Sequence, residues 1–318
     1  MKADTNQDII VFFDNRLVPL RDAKVGILTH AFNYGTGVFE GIRGYWDENQ
    51  RELFLVRPQE HYERWKRNCS ILRIDVRPKP SVLCQITSAL VRRNQFHTNV
   101  YVRPLAYKSA ERIGVSPDGA SAFAIAALPF GDYIDSRAGL HAGVSSWRRI
   151  ADTAIPCRAK ICGAYVNSAL ASDEARREGY DEAIFLTEDG HVAEGASCNI
   201  FLLRGEKLIT PAVSEGILEG ITRASVIELA QRELHLDVVE RRVDRSELYV
   251  SDEVFFTGTA VELAPIVRVD HRPVGSGKIG PVAAELRRLY LEAARGANPT
   301  YKKWLFPVYR PVAAGKAA

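Results

Sequence analysis

Cysteine is scarce in this sequence, and no two cysteines form a Cys-x-x-Cys pair. The 318 residues contain five of them: Cys69, Cys84, Cys157, Cys162 and Cys198. An odd set without metal-ligand spacing, lying mostly among apolar residues, argues against a disulfide framework and against a zinc site. We therefore expect a reducing compartment, which is typical of a cytoplasmic protein.

Long apolar runs and a strong charge of one sign are also absent. The longest apolar stretch beyond the N-terminal region, residues 122–130, falls well short of the ~20 residues that a membrane-spanning helix needs. The polar start of the chain does not fit a signal peptide. A net charge of +3 from 42 basic and 39 acidic residues is too small and too interspersed for a nucleic-acid footprint. The sequence predicts a soluble protein that binds neither nucleic acid nor a membrane.

Three common catalytic patterns are missing as well. The seven histidines never stand at i and i+4 around a glutamate, so they offer no metal-ligand set. A Gly-x-Ser-x-Gly elbow, the commonest signature of serine hydrolases, does not occur. Residues 275–280 have the spacing of a dinucleotide-binding loop but stand too near the end of the chain for the strands that must follow. We predict no metal site and no dinucleotide-binding domain.

The composition is that of a globular protein, 46% hydrophobic and 25% charged, with a length suited to about two domains. A hairpin at residues 9–20, helices at 58–71 and 80–94, and strands at 37–46, 100–107 and 121–128 predict a small N-terminal domain of residues 1–128. Residues 129–139 are typical of an interdomain connection. Mixed strands and helices follow in residues 140–318, so the predicted fold class is α+β.

Lys160 lies in a run of small and apolar residues, 156–165, that is typical of a protein interior. Loss of hydration disfavours the charged form of a lysine, which makes its amine a usable nucleophile near neutral pH. Schiff-base chemistry requires such an amine. The alternative is a surface lysine whose stem covers apolar neighbours, and the run alone does not exclude it.

Two later segments supply groups that suit the same chemistry. Glu194 stands in a tight polar turn, and residues 218–223, Leu-Glu-Gly-Ile-Thr-Arg, open a predicted helix. Glycine lets the backbone close on an anion while the amides of the helix start point at it, which favours a phosphate. A plain helix capped by Thr222 is the alternative. Residues 257–260, Thr-Gly-Thr-Ala, follow an apolar strand and form a second candidate donor set, or else a simple turn.

Tyr101 and Arg103 are two residues apart on a predicted strand and therefore share a face. An arginine beside a tyrosine can bind a carboxylate through two hydrogen bonds. A solvated strand face explains the pair equally well.

These residues lie in motifs that resemble the branched-chain amino acid aminotransferases of the class IV, or fold-type IV, pyridoxal phosphate enzymes. The motifs include residues 30–43 (HAFNYGTGVFEGIR), residues 163–168 (GAYVNS), Glu194-Gly195 with residues 199–201, and residues 220–223 (GITR). The resemblance extends over nearly the whole chain. It implies a small sandwich-like N-terminal domain and a larger C-terminal domain with a pseudo-barrel sheet.

The resemblance also implies a role for each matching residue. Lys160 would be the catalytic residue that bonds covalently to pyridoxal 5'-phosphate, and Glu194 would pair with the ring nitrogen. The remaining cofactor contacts would come from Arg64, Tyr165, Leu218, Gly220, Ile221, Thr222 and Thr259. The substrate contacts would come from Tyr34, Phe39, Tyr101, Arg103, Tyr133, Thr259 and Ala260.

The resemblance also implies which group of the substrate each of these residues would contact. Tyr101 and the amides of Thr259 and Ala260 would meet the α-carboxylate, while Phe39 and Tyr133 would line the pocket for the side chain. Arg103, assisted by Tyr34, would contact the second carboxylate of glutamate at the edge of the pocket. In the family, Tyr34 and the loop near Val115 reach the neighbouring subunit's site, so a homodimer or a higher homo-oligomer is expected.

The hypothesis is therefore an aminotransferase that moves the amino group of leucine, isoleucine or valine to 2-oxoglutarate by a ping-pong cycle. Its small-molecule partners would be amino acids and 2-oxo acids. The alternatives on the same fold are a D-amino acid or (R)-amine transaminase and an aminodeoxychorismate lyase. A further alternative is a relative without catalytic activity. Cys198 departs from the residues that relatives commonly carry, which puts the side-chain preference in doubt.

Overall fold

The computed structural model describes residues 8–131 and 134–310. The chain divides into two compact units: Met1–Gly131 with Glu292–Ala318, and Asp132–Leu291. The sequence predicts that residues 140–318 form one domain. In the structure, the residues after Leu291 belong instead to the first compact unit. The reason is strand pairing, since the last strand of the chain joins the sheet of the first unit.

The first unit is built around an eight-stranded sheet of its described residues. Its strands are β1 (Ile10–Phe13), β2 (Arg16–Pro19), β3 (Gly37–Phe39), β4 (Ile42–Asp47), β5 (Glu52–Val56), β6 (Val100–Lys108), β7 (Ser121–Pro129) and, numbered in chain order, β17 (Leu305–Pro307). Its helices are α1 (His30–Tyr34), α2 (Pro58–Ile71) and α3 (Pro80–Arg93). The strand order is β17-β5-β4-β6-β7-β1-β2, and β3 also pairs with β6.

Local sequence explains several of these elements. Asp14 and Asn15 adopt φ of 51° and 60°, the left-handed pair that a two-residue hairpin turn between β1 and β2 requires. Helices α2 and α3 each begin with a proline at the first turn. The strand predicted at residues 37–46 is interrupted at Glu40 and Gly41. The two resulting strands, β3 and β4, both pair with β6, one on each side of the break.

Glu52 fastens the C-terminal segment to this sheet. Its side chain is fully buried. Oε1 accepts hydrogen bonds from the amides of Leu53, Val308 and Tyr309 at 2.9, 2.9 and 2.8 Å, and Oε2 accepts one from the amide of Arg310 at 2.8 Å. One carboxylate therefore satisfies the backbone of the chain just beyond β17.

The second unit contains a nine-stranded sheet among its described residues. Its strands are β8 (Leu140–Arg148), β9 (Glu182–Leu186), β10 (Val192–Gly195), β11 (Asn199–Arg204), β12 (Lys207–Thr210), β13 (Asp237–Glu240), β14 (Glu253–Gly258), β15 (Glu262–Val269) and β16 (Arg272–Pro273). Its helices are α4 (Tyr165–Arg177), α5 (Ile221–Glu233) and α6 (Pro281–Ala294), and the boundary at Glu292 falls within α6. The strand order is β10-β9-β8-β15-β14-β11-β12-β13, with β16 beside β15.

Apolar side chains cover both faces of this second sheet. One buried cluster includes Ile184, Ile200, Phe256 and Ile266. A second includes Ala171 of α4 with Phe185, Ala193 and Ile217. Strands buried on both sides carry nearly continuous apolar runs, as β9 and β11 do.

Both units mix helices with strands, and the predicted α+β class is confirmed. Within residues 8–131 and 134–310, none of the helices combines the length and the apolar character of a membrane span. The same residues contain no group of three or more His, Cys, Asp or Glu side chains that could hold a metal ion.

Candidate active site

Lys160 lies just before a short 3₁₀ turn, Cys162–Ala164, that leads into α4. The lysine itself is half-buried, while its neighbours Ala159 and Ile161 are buried, in agreement with the predicted interior position. Its Nζ donates a hydrogen bond of 2.8 Å to the hydroxyl of Tyr165, the first residue of α4. The helix start therefore sets the direction of the amine.

Glu194 directs its carboxylate at three hydrogen-bond donors. It lies on β10 and is 5% exposed. Its Oε1 is 2.8 Å from Nη2 of Arg149. Its Oε2 accepts hydrogen bonds from Nδ2 of Asn199 at 3.0 Å and from the amide of Leu218 at 3.1 Å. Charge-assisted bonds of this kind hold a carboxylate in one orientation.

Opposing effects act on the ionisation of Glu194. Burial raises its pKa above the ordinary value, although the Arg149 guanidinium, the Leu218 amide and the Lys160 ammonium lower it in part. The Lys160 amine and the Glu194 carboxylate both belong to the second unit.

A helix start whose first amides have no side-chain cap lies beside this carboxylate. Helix α5 begins at Ile221 after Gly220, has no side-chain cap, and has no acidic residue in its first turn. Thr222 is buried within the helix and is not its cap, so the alternative of a Thr222-capped helix is not what the structure contains. Uncapped first-turn amides together with the positive end of the helix dipole attract an anion.

Glycine is required at position 220 for steric reasons. A Cβ atom at Gly220 would overlap Oδ1 of Asn199. The same asparagine donates to Glu194 and also to the carbonyl oxygen of Leu218 at 2.9 Å. Asn199 therefore couples the orientation of the carboxylate to the path of the backbone that enters α5.

The turn between β14 and β15 lies next to the turn between β10 and β11. Thr257 pairs with Asn199 in the β11–β14 register, and Gly258 contacts Cys198. Thr259 and Ala260 form the partly exposed turn that follows. The hydroxyl of Thr257 is buried and has no hydrogen-bond partner within the described part of the chain. An unpartnered buried hydroxyl at this edge is a polar contact ready for a ligand.

Cys198 forms an apolar boundary of the site. It is 5% exposed, and burial raises its pKa well above the ordinary value of a thiol. The side chain therefore stays a neutral thiol at physiological pH and behaves as a small apolar group.

Together these groups can hold a small molecule of defined chemistry. The amides at the start of α5 suit an anionic group, and the anion of Glu194 suits a protonated ring nitrogen. The amine of Lys160 suits a covalent bond to a carbonyl carbon. The residues of the second unit fit a phosphorylated heteroaromatic aldehyde.

Phe39, Tyr101 and Arg103 form a separate cluster in the first unit. The Arg103 guanidinium lies 4.5 Å from the ring centroid of Phe39 and 5.3 Å from that of Tyr101. Its Nη2 also donates to the Tyr101 hydroxyl at 3.4 Å. A Cβ atom at Gly41 would overlap that hydroxyl, so the interruption between β3 and β4 makes room for Tyr101. The predicted shared face of Tyr101 and Arg103 is confirmed.

Tyr34 belongs to another part of the first unit. It is the last residue of α1, and its hydroxyl accepts a hydrogen bond of 2.9 Å from the amide of Gly114. Val115, the next residue in that loop, is 81% exposed. Tyr133 lies outside the described residues.

Arg64 lies in a buried ion pair. Its Nε and Nη2 donate to the two carboxylate oxygens of Glu40 at 2.7 and 2.9 Å. Nδ1 of His61 lies 2.9 Å from Glu40 Oε2 and donates to it, since a carboxylate can only accept. Burial would raise the pKa of Glu40, but the Arg64 guanidinium and the His61 ring outweigh it and hold the pKa well below its ordinary value.

Glu40→Gln is expected to lower the free energy of unfolding by about 3–5 kcal/mol, because it leaves the buried Arg64 guanidinium without its counter-charge. Because the pKa of Glu40 is lowered on folding, its contribution is complete above about pH 4.3 and is lost below it. The stability of the variant should therefore fall less steeply than that of the parent protein as the solution is acidified. Urea unfolding at several pH values measures both effects.

Glu285→Gln is the matched control, because Glu285 forms an exposed pair with Arg288 on α6. Exposed pairs contribute little to stability. Equal losses in the two variants at neutral pH would contradict the structural role assigned to Glu40.

Sequence reasoning missed four residues that organise these clusters: Arg149, Asn199, Glu40 and His61. Asn199 and Glu40 stand inside the quoted motifs, but a motif does not reveal which side chain they contact. Arg149 follows Arg148 at the end of β8, and nothing in the sequence separates the buried arginine from the exposed one.

Comparisons with known proteins agree on one family. A model of the amino-transferase class IV family matches residues 37–269. A probable branched-chain-amino-acid aminotransferase of Aquifex aeolicus is 47% identical over 299 residues, which cover 94% of this chain and 96% of that protein.

Two solved structures resemble the chain over almost its whole length. The branched-chain aminotransferase of Thermoproteus uzoniensis with norvaline has a TM-score of 0.90 and 42% identity, covering 95% of this chain and 99% of that one. The branched-chain amino acid aminotransferase of Thermobaculum terrenum, in its PLP-form, has a TM-score of 0.90 and 38% identity, covering 96% of this chain and 100% of that one.

Proposed function

The chain belongs to the amino-transferase class IV family, and on this basis we propose that it transfers the amino group of a branched-chain L-amino acid to 2-oxoglutarate with pyridoxal 5'-phosphate as cofactor. The family and the fold predicted from the sequence are confirmed. The observation that supports the proposal is a pair of oriented groups in the second unit: the Lys160 amine, which donates to Tyr165, and the buried Glu194 carboxylate, which accepts from Asn199 and the Leu218 amide.

The second unit supplies the groups for the cofactor. Pyridoxal 5'-phosphate, when bound, provides an aldehyde that takes up an amino group and a protonated ring that withdraws electrons from the substrate α-carbon. The Glu194 carboxylate would keep the ring nitrogen protonated, and the first-turn amides of Ile221 and Thr222 would bind the phosphate. The Thr259 hydroxyl and Arg64 were predicted to join the phosphate contacts, and those two roles stay predictions.

Lys160 would serve twice in the cycle. Its amine would hold the cofactor at the aldehyde carbon, and as a free amine it would carry the proton that leaves the substrate α-carbon. The Tyr165 hydroxyl, 2.8 Å from Nζ, would direct the amine between these two tasks.

Substrate binding is proposed for the cluster of Phe39, Tyr101 and Arg103. Phe39 offers an apolar ring for an aliphatic side chain, and it is covered by the exposed Arg103 guanidinium at 4.5 Å. One pocket could then accept leucine against the ring and the second carboxylate of glutamate against the guanidinium. The α-carboxylate would meet Tyr101, and the contacts expected from the amides of Thr259 and Ala260 stay predictions.

Arg103→Met is expected to raise the KM for glutamate by about 10–100-fold, because a charge-assisted pair to the second carboxylate is lost. The KM for leucine should change much less, since methionine keeps an apolar cover over Phe39. Steady-state kinetics with each donor measure the ratio. Arg93→Met, at the exposed end of α3, is the control; equal changes in both KM values would contradict the assignment.

Gly220→Ala is expected to weaken the binding of pyridoxal 5'-phosphate by about 10-fold, a free-energy change of about 1.4 kcal/mol. The backbone at Gly220, with φ of −67° and ψ of 131°, suits alanine, so the effect comes from the overlap with Asn199. Titration of the apoprotein with the cofactor measures it. Gly131→Ala is the control, because a Cβ there meets open space. An unchanged dissociation constant at position 220 would refute the steric argument.

A homodimer or larger homo-oligomer is proposed from an exposed apolar patch in the first unit. Ile27, Phe32, Ile113 and Val115 are 73%, 67%, 82% and 81% exposed. The two segments are neighbours, since the amide of Arg112 donates to the carbonyl of Leu28. Exposed apolar patches of this kind mark association surfaces. Sedimentation equilibrium tests the assembly, and a monomer at micromolar concentration would refute it.

A cytoplasmic location is proposed from the thiols. Cys69, Cys84, Cys157, Cys162 and Cys198 do not form disulfides. Free cysteines are typical of reducing compartments.

A panel of amino donors with 2-oxoglutarate tests the proposed reaction most directly. Leucine, isoleucine and valine should be converted at rates well above those of other donors. Activity confined to D-alanine or to a chiral amine would replace the proposal with the D-amino acid or (R)-amine transaminase. Pyruvate release from aminodeoxychorismate would replace it with the lyase.

A further inference from the structure

Arg149 is the permanent cation next to the Glu194 carboxylate. It directly follows β8, and its side chain is 10% exposed. Nη2 lies 2.8 Å from Glu194 Oε1, and Nε donates to the carbonyl oxygen of Gly216 at 3.1 Å. The guanidinium also lies 5.9 Å from the ring centroid of Phe185, which is fully buried. Contacts on three sides hold the guanidinium in place.

The other cations that act on Glu194 cannot replace it. Lys160 is the reacting nucleophile, so its bonding and its protonation change during the reaction. Arg223 is engaged elsewhere, because its Nη2 donates to Glu240 at 2.6 Å and to the carbonyl of Pro211 at 3.1 Å. Arg149 therefore supplies the positive charge that persists at Glu194 throughout a reaction cycle.

The geometry of Glu194 leaves room for one further donor. A carboxylate offers about four acceptor positions. Asn199 and the Leu218 amide occupy those of Oε2, and Arg149 occupies one of Oε1. Counted over residues 8–131 and 134–310, one position on Oε1 remains for a ligand.

We propose that Arg149 is a positioning residue that keeps Glu194 anionic and turns the remaining acceptor position of Oε1 toward the ring nitrogen of the cofactor. This inference rests on the proposed function of the site. A buried carboxylate without a counter-charge takes up a proton and turns from an acceptor into a donor. With Arg149 present, the single proton between Glu194 and the ring lies on the nitrogen; without it, the proton lies on the carboxyl oxygen.

Nitrogen-15 spectroscopy tests where that proton lies. The holoenzyme is prepared with pyridoxal 5'-phosphate labelled at the ring nitrogen, and no substrate is added. In the parent protein the resonance should have the position of a protonated ring, and in Arg149→Met that of an unprotonated ring. Arg149→Lys, which keeps the charge, should restore the protonated position. Arg177→Met, an exposed arginine on α4, is the control and should leave the resonance unchanged.

Kinetics separate positioning from a merely structural role. Arg149→Met should lower kcat by about 100-fold, a size typical of losing an aimed electrostatic contact, while the KM for leucine changes little. In a Glu194→Gln background the same substitution should have almost no further effect on kcat, because its effect passes through the carboxylate. Additive losses in the double variant would overturn the proposal.

The outcomes also distinguish this inference from the proposed function. A protonated resonance in Arg149→Met, whatever the activity, overturns the role of Arg149. A parent protein that binds the labelled cofactor with a protonated ring but does not convert branched-chain amino acids refutes the proposed reaction and leaves the test of Arg149 intact. If Arg149→Met does not fold, Arg149→Gln, which is uncharged and polar, carries the same spectroscopic test.

Discussion

Lys160→Ala is expected to abolish transamination, with kcat lowered by more than about 10⁴-fold, because one side chain supplies both the nucleophile and the proton carrier. The purified variant should also lose the visible absorbance that depends on a covalent bond between protein and cofactor. Absorption spectroscopy and a coupled assay of 2-oxoglutarate consumption measure the two effects. A variant that keeps both would reject the assignment of Lys160.

Two controls make this result specific to the amine. Lys207→Ala removes an exposed lysine that lies 3.9 Å from Asp237 on the neighbouring strand, and it should retain the parent rate. Added methylamine should restore part of the activity of Lys160→Ala, since a free amine can carry the proton. Circular dichroism establishes that the inactive variant is folded.

Glu194→Gln is expected to lower kcat by about 10²–10³-fold, because the buried anion that stabilises a protonated ring is replaced by a neutral amide. The substitution keeps the shape of the side chain, but the new amide must direct a donor at Arg149, Asn199 or the Leu218 amide, which are donors themselves. Binding of the cofactor should weaken as well. Steady-state kinetics and a titration of the apoprotein measure the two changes.

Glu182→Gln is the matched control, because it also replaces a buried carboxylate with a neutral amide. Glu182 lies on β9, is 6% exposed, and has a pKa that burial raises. It accepts a hydrogen bond from the amide of Ala183 and lies outside the proposed contacts. A loss of kcat in this variant as large as that in Glu194→Gln would mean that any buried carboxylate in the sheet matters equally.

The sequence was sufficient for the elements that carry strong local signals. Helical apolar spacing predicted α2 and α3, and the Asp14-Asn15 turn predicted the first hairpin. Strands β13 and β17 were missed, since β13 begins and ends with acidic residues and β17 is three residues long and ends in proline. Such strands exist because of their partners, and pairing partners are not visible in a local pattern.

The candidate site was predictable only where chemistry has a sequence motif. Lys160 and Glu194 could be singled out from their surroundings, and their joint role in one site stays a prediction. Arg149 could not, because its role depends on a contact between residues 149 and 194 that local patterns do not contain. The phosphate contact predicted for Arg64 stays a prediction, and the structure adds that Arg64 donates to Glu40, to which His61 also donates.

The fastening of the last described residues by Glu52 limits how this protein can be shortened. Without the residues from Val308 onward, the Glu52 carboxylate would keep only one of its four backbone donors, the Leu53 amide. A trimmed variant would then lose stability in the first unit although no catalytic group had been touched. Affinity tags and fusion partners at this end therefore belong beyond Arg310.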